Sequence, residues 1–194
     1  AQCVQPDAAS PARLTAFRRR HTLPEPHAFS GPASSSRFLA CMTIRWLLAA
    51  FHLLALGIGM ESVWARGRAL KRLRSGDDRE TLSRIFTHDN WYGIAALLWY
   101  PTGIARAFFG FEKGTGYYLH QPFFVAKLAL VIVVGAVEMW VMVTLIRWRR
   151  QQQRGEAIDV RPAPRMAQIS AWETYAIMLA VFLATAMARN VRLW

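Results

Sequence analysis

The stretch that decides the fold is Phe123–Ile146, FFVAKLALVIVVGAVEMWVMVTLI, which contains one lysine, one glutamate and no polar stripe. A helix rises 1.5 Å per residue, so about 20 apolar residues cross a bilayer core of about 30 Å. Lipid offers no hydrogen-bond partners to an open strand, whereas a helix satisfies its own backbone groups. A helix of a soluble bundle would keep one polar face. The stretch therefore predicts a transmembrane helix.

Three further apolar runs of similar length lie along the chain, two before this stretch and one after it. By the same hydropathy argument, each predicts a membrane span. The predicted fold is all-α: a polytopic membrane protein with a four-transmembrane-helix bundle over residues 42–194. The predicted helices cover about 44–66, 91–109, 123–147 and 169–188.

Composition supports this class of protein. Hydrophobic residues make up 54% of the chain and charged residues only 19%, which excludes disorder for most of it. Lys and Arg number 24 against 12 for Asp and Glu, giving a net charge of +12. A nucleic-acid-binding protein clusters such charge on a polar folded surface. Here the basic residues stand between apolar runs, so we expect a lipid bilayer and no nucleic acid as the partner.

The distribution of Lys and Arg predicts the orientation, because cytoplasmic loops are enriched in both. Loops 66–90 and 147–168 together hold thirteen of these residues, whereas the second loop and the C-terminal end hold three. We therefore expect loops 66–90 and 147–168 to be cytoplasmic and both termini to lie outside. The expected location is the bacterial inner (cytoplasmic) membrane.

Residues 1–41 differ from the rest of the chain. They form a Pro-, Ser- and Arg-rich segment without apolar periodicity, which predicts an irregular extension. The extension is either a contact arm for other membrane protein chains or an addition without a role.

Ionisable residues at membrane depth are costly and are therefore candidates for function. In the predicted topology, a cationic group with one imidazole lies toward the outer side, and an acidic group lies toward the inner side. The outer candidates are His52, Arg106 and Lys127, with Lys113 and His120 in the adjoining loop. The inner candidates are Glu61, Glu138 and Glu173, with Asp89 just before the second helix.

His52 is the main candidate metal ligand, because a neutral imidazole in a transmembrane helix can be the axial ligand of haem or another tetrapyrrole. The alternative is a histidine hydrogen-bonded to a neighbouring helix. His120 lies near the outer edge, where it is too shallow for a second ligand. Arg106 and Lys127 either bind an anionic group of a cofactor or extend to the interface.

The acidic candidates have simpler alternatives. Glu138 is the deepest acid, and it is either protonated and hydrogen-bonded or paired with a cation across the bundle. Asp89 is interpreted as the cap of the second helix. Glu61 and Glu173 lie close enough to the inner surface to pair with loop arginines.

The stretch 46–150 resembles a family of small four-helix bacterial membrane proteins classified as a domain of unknown function. The matching pieces are FHLLAL with Glu61, Asp89 before WYGIAA, and TGIAR ending at Arg106. They continue with KGTGYY from Lys113, PFFVAKLAL containing Lys127, and Glu138 before IRWRR. The resemblance implies the four-helix fold and marks these positions, but it implies no activity.

A weaker similarity is to HemJ-type protoporphyrinogen oxidases, which are also small four-helix membrane proteins. Their first-helix histidine binds haem b, and their third helix carries an AKL-type lysine. His52 and Lys127, within Ala126–Leu128, fit that outline. The longer first-helix pattern of aromatic and arginine residues is met only loosely.

Two functions follow from these observations. The first is a non-catalytic subunit or accessory protein of a larger membrane complex that contains pigment or haem, with a tetrapyrrole held at His52. It is favoured because the sequence shows none of the common catalytic motifs. The second is a haem-b-dependent membrane oxidoreductase, in which His52 is the ligand, Lys127 and Arg106 bind the anionic groups, and Glu138 accepts a proton.

Overall fold

The computed structural model describes residues 32–109 and 120–189, which form four helices. We number them α1 (Pro32–Arg72), α2 (Arg79–Phe108), α3 (Pro122–Arg154) and α4 (Ala163–Ala188). The described residues contain no strand. The prediction of an all-α four-helix fold is confirmed.

Three of the helices are long and apolar enough to cross a membrane: residues Leu39–Arg72 of α1, all of α3 and all of α4. α2 is 30 residues long but does not reach the same apolar composition. Large apolar side chains are exposed along the helices, among them Leu97, Phe182 and Trp172. In a membrane protein these side chains face lipid, which is itself apolar.

The helices extend well beyond the predicted apolar runs, because hydropathy marks only the part of a helix that faces lipid. α1 begins at Pro32 rather than at residue 44, so residues 32–41 of the predicted irregular extension are helical. Proline suits the first turn of a helix, where its missing N–H would have no helical partner. Residues 1–31 lie outside the described residues.

The start of α2 corrects the interpretation of Asp89 as a cap. The helix begins at Arg79, twelve residues earlier than residue 91, and Asp78 is the N-cap, with its carboxylate accepting a hydrogen bond from the Thr81 N–H at 3.0 Å. That bond lowers the pKa of Asp78 below its usual value. Asp89 therefore lies in the third turn, where its side chain is available for contacts with other helices.

The two predicted cytoplasmic loops are correspondingly shorter, since most of 66–90 and 147–168 is helical. Residues 73–78 connect α1 to α2, and residues 155–162 connect α3 to α4. α3 continues to Arg154 and ends at Gly155, whose positive φ of 68° favours glycine. A Cβ on Gly76 would lie 2.5 Å from the Ile158 carbonyl oxygen, so the two loops are in close contact.

α1 is the central helix, packing along α2 and α4, and α3 packs against α4. α2 and α3 touch each other at few points. The hydrophobic core lies at the end that carries loops 73–78 and 155–162, which we call the loop end. Its members include Leu70, Leu82, Leu145, Trp148 and Met166.

Candidate functional site

A buried guanidinium lies next to this core, on the side away from the loop end, where all four helices meet. Arg66 of α1 is completely buried. Its two terminal nitrogens donate to both carboxylate oxygens of Glu138 on α3, at 2.5 and 2.7 Å. Such a bidentate pair is the strongest geometry available to arginine and a carboxylate.

Two further carboxylates complete the surroundings of Arg66. Its Nη2 donates to Glu173 of α4 at 3.0 Å, and its Nη1 donates to Asp89 of α2 at 3.1 Å. The Arg66 Nε lies 3.3 Å from Ser170 Oγ. The guanidinium also lies over the ring of Tyr92, 5.1 Å from its centre. One side chain thus links α1 to each of the other three helices.

Asp89 joins a second arginine to this group. The other Asp89 oxygen accepts a hydrogen bond from Arg149 of α3 at 3.0 Å. Arg149 also donates to Asn90 at 2.7 Å and to the Phe86 carbonyl oxygen at 3.0 Å. This contact holds α2 to α3, which otherwise scarcely touch. We call Arg66, Asp89, Glu138, Arg149 and Glu173 the ion cluster.

A cavity of about 440 Å³ lies farther from the loop end, among all four helices. His52, Arg106 and Lys127, the three residues predicted to hold a cofactor, all line it. Most of the remaining lining is apolar and small, with Ala184 and Ala188 contributed by α4. The volume is within the range of about 300–1,000 Å³ that is usual for small-molecule sites.

His52 is hydrogen-bonded to the neighbouring helix α2. Thr102 Oγ1 lies 3.0 Å from His52 Nδ1. The Thr102 hydroxyl also lies 2.6 Å from the Leu98 carbonyl oxygen in its own helix. The alternative predicted for His52, a hydrogen bond to a neighbouring helix, is therefore present in the structure.

Trp99 and Gly103 of α2 shape the surroundings of His52. The imidazole stacks on the Trp99 ring at 5.1 Å with an interplanar angle of 16°. The Lys127 ammonium lies over the same ring, 5.7 Å from its centre. A Cβ on Gly103 would approach His52 Cε1 to 3.1 Å, so glycine allows the two helices to come this close. Trp99 consequently positions both a histidine and a cation at the cavity.

The remaining predicted residues lie elsewhere. Glu61 is exposed and its carboxylate is 4.0 Å from His88 Nδ1, instead of pairing with a loop arginine. His120 is exposed in the turn before α3. Lys113 lies outside the described residues. Within residues 32–109 and 120–189, no group of three or more His, Cys, Asp or Glu side chains is arranged to hold a metal ion.

Sequence reasoning missed Arg66 as a site residue, because it ends an apolar run and was counted among the loop arginines. It also missed Trp99 and Thr102, which are ordinary residues of an apolar helix by composition. A usable signal existed for Arg66: acids at membrane depth require a cation, and Arg66 lies at the inner end of the first predicted helix, on the side of the acidic candidates.

The fold and these two sites define a polytopic helical membrane protein with an ion cluster near one end and a cation-lined cavity farther along the bundle. The family model described as "Predicted membrane protein (DUF2214)" matches residues 44–191, and the chain belongs to this family. The resemblance predicted over residues 46–150 is confirmed, and the match also covers α4. Neither the comparison with curated proteins nor that with solved structures finds a match.

Proposed function

We propose that the protein binds a tetrapyrrole such as haem b in the cavity between its four helices, with the His52 imidazole as the ligand of its metal. The observation that carries this proposal is the position of His52, which lines the cavity together with two cationic side chains. Thr102 Oγ1 lies 3.0 Å from His52 Nδ1, and a hydrogen bond to the second ring nitrogen is the outer-shell arrangement that orients metal-bound histidines. A bound haem would supply one-electron chemistry.

The charge of the cavity supports an anionic ligand. Lys127 and Arg106 both line it, and none of the described residues that line it is acidic. Haem carries two propionate groups, which charge-assisted hydrogen bonds from lysine and arginine would stabilise. The apolar remainder of the lining suits the faces of a macrocycle. The donor set and the surroundings therefore fit the group.

The experiment is haem binding by the full chain purified in detergent. We expect a Soret band in the wild-type protein or after addition of haem b. His52→Ala should weaken binding by more than the roughly 10–100-fold that follows from losing an outer-shell partner. His88→Ala is the matched control, because His88 is a partly exposed helical histidine outside the cavity. Equal haem binding by His52→Ala and wild type would contradict the proposal.

The role of the holoprotein is a second part of the proposal. We propose a non-catalytic subunit of a larger membrane complex, with the oxidoreductase of the HemJ type as the alternative. A smaller cavity of about 100 Å³ adjoins His52 between α2 and α3 and supports the alternative, since it offers room beside the ligand. Copurification with other chains at fixed stoichiometry is expected of a subunit, whereas porphyrinogen turnover by the isolated holoprotein would support the oxidoreductase.

A further inference from the structure

The ion cluster carries more negative than positive groups. Its three carboxylates are Asp89, Glu138 and Glu173, and its two guanidiniums are Arg66 and Arg149. The side chains of Glu173 and Glu138 are only 3% and 11% exposed. An uncompensated charge at such burial is costly, and a buried group commonly avoids the cost by taking up a proton.

The hydrogen bonds identify where a proton is needed. Glu173 Oε2 accepts from Arg66, but no hydrogen-bond donor among the described residues reaches Glu173 Oε1. The neighbour of this carboxyl group is Glu138, with which it interacts directly. Two carboxylate groups can only form a hydrogen bond if one of them carries a proton. Glu173 therefore has one oxygen without a donor among the described residues and a second carboxyl group as its neighbour.

We propose that Glu138 and Glu173 share one exchangeable proton at neutral pH, which makes the ion cluster a proton-binding site of the membrane domain. The charged and titratable groups that face the pair are Arg66 of α1 and Asp89, Tyr92 and Tyr100 of α2. Arg149 of α3 joins them through Asp89. With the proton bound, two negative charges face two positive ones. The proposal does not depend on a tetrapyrrole in the cavity.

The ion cluster is more accessible to water from the loop end than from the other side. Arg149 and Asp89 are its most exposed members, with side chains 30% and 13% exposed, and they lie toward the loop end. On the opposite side, a small cavity of about 70 Å³ separates the cluster from His52. Its lining is mainly apolar and includes Ala55, Leu56 and Val134. The proton therefore exchanges with water at the loop end.

Infrared spectroscopy of the full chain in detergent tests the proposal, because a protonated carboxyl group has a carbonyl stretch distinct from that of a carboxylate. Exposed carboxyl groups are ionised at neutral pH. We expect one protonated carboxyl band in the wild-type protein, shifted in deuterated buffer and lost at higher pH. Absence of this band at neutral pH would overturn the proposal, whatever the behaviour of any variant.

Two variants assign the band. Glu173→Gln and Glu138→Gln each leave two carboxylates facing two guanidiniums, so both should lose the band completely. Glu156→Gln should retain it, because Glu156 is an exposed acid at the loop end that pairs with Arg154 at 3.7 Å. Retention of the band in either Glu173→Gln or Glu138→Gln would overturn the shared proton. A melting curve of each variant checks that it is folded before its spectrum is compared with that of the wild type.

Discussion

Arg66 bonds to a carboxylate on each of the other three helices. Replacing it with methionine would keep much of its volume but leave three carboxylates near a single remaining cation, Arg149. Loss of one partner of a buried ion pair destabilises a protein by about 3–5 kcal/mol. We expect Arg66→Met to lower the free energy of unfolding by this amount, measured by reversible denaturation in mixed micelles.

Arg68→Met is the control for this change. Arg68 lies two residues further along α1, is exposed, and stacks on the Trp64 ring at 4.6 Å. Exposed cation–π contacts contribute about 0.5–1 kcal/mol, so its loss should be small. Equal free energies of unfolding for the two variants would show that the ion cluster does not stabilise the bundle.

The sequence indicated individual site residues better than it indicated their partners. Depth in an apolar run identified Glu138, and one of its two predicted alternatives, pairing with a cation across the bundle, is present in the structure. The partner was not predictable from position, since Arg66 and Glu138 are separated by 72 residues. The same holds for His52, whose bond to Thr102 depends on how α1 and α2 are aligned.

At the scale of the helices, the crossing of α1 and α4 depends on small residues. A Cβ on Gly67 would approach Ser170 Cβ to 3.0 Å and the Ala167 carbonyl oxygen to 3.6 Å. Small residues allow such close packing of membrane helices. Ser170 also lies beside the Arg66 guanidinium, so separation of these helices would disturb the ion cluster.

Comparison of Gly67→Ala with Gly93→Ala tests whether the α1–α4 contact requires a small residue at position 67. Both glycines are in helix interiors, where alanine gains up to about 1 kcal/mol over glycine. No atom lies within 4 Å of the Cβ position of Gly93. We expect Gly93→Ala to leave the melting temperature unchanged or raise it, and Gly67→Ala to lower it. An equal rise in both variants would mean that the α1–α4 contact tolerates a larger residue.

The sequence predicted the number of helices but not their ends. Apolar runs identify the lipid-facing part of each helix, whereas the ends depend on local caps such as Asp78 and Gly155. These residues stand outside the apolar runs, in segments that composition alone assigns to loops. Extension of α2 back to Arg79 is what places Asp89 beside Arg66 and Arg149.

At the scale of the whole molecule, the charges of α2 bear on how many times the chain crosses the membrane. α2 is not among the three helices that are apolar enough to cross a membrane, and Asp89 adds a charge to it. In the structure, however, Asp89 pairs with Arg66 and Arg149 at 3.1 and 3.0 Å. A paired charge inside the bundle does not have to be solvated by lipid, so α2 can span the bilayer with its neighbours.

We therefore predict that the residues before and after α2 lie on opposite sides of the membrane. The test labels Ser75→Cys and His120→Cys with a membrane-impermeant thiol reagent, in a chain whose Cys3 and Cys41 are replaced by serine. Both positions are exposed, Ser75 in the loop before α2 and His120 in the turn before α3. In intact inverted vesicles Ser75→Cys should react and His120→Cys should not, because basic loops are retained in the cytoplasm. Labelling of both positions from one side would show that α2 does not cross the bilayer. Labelling of His120→Cys alone would reverse the predicted orientation.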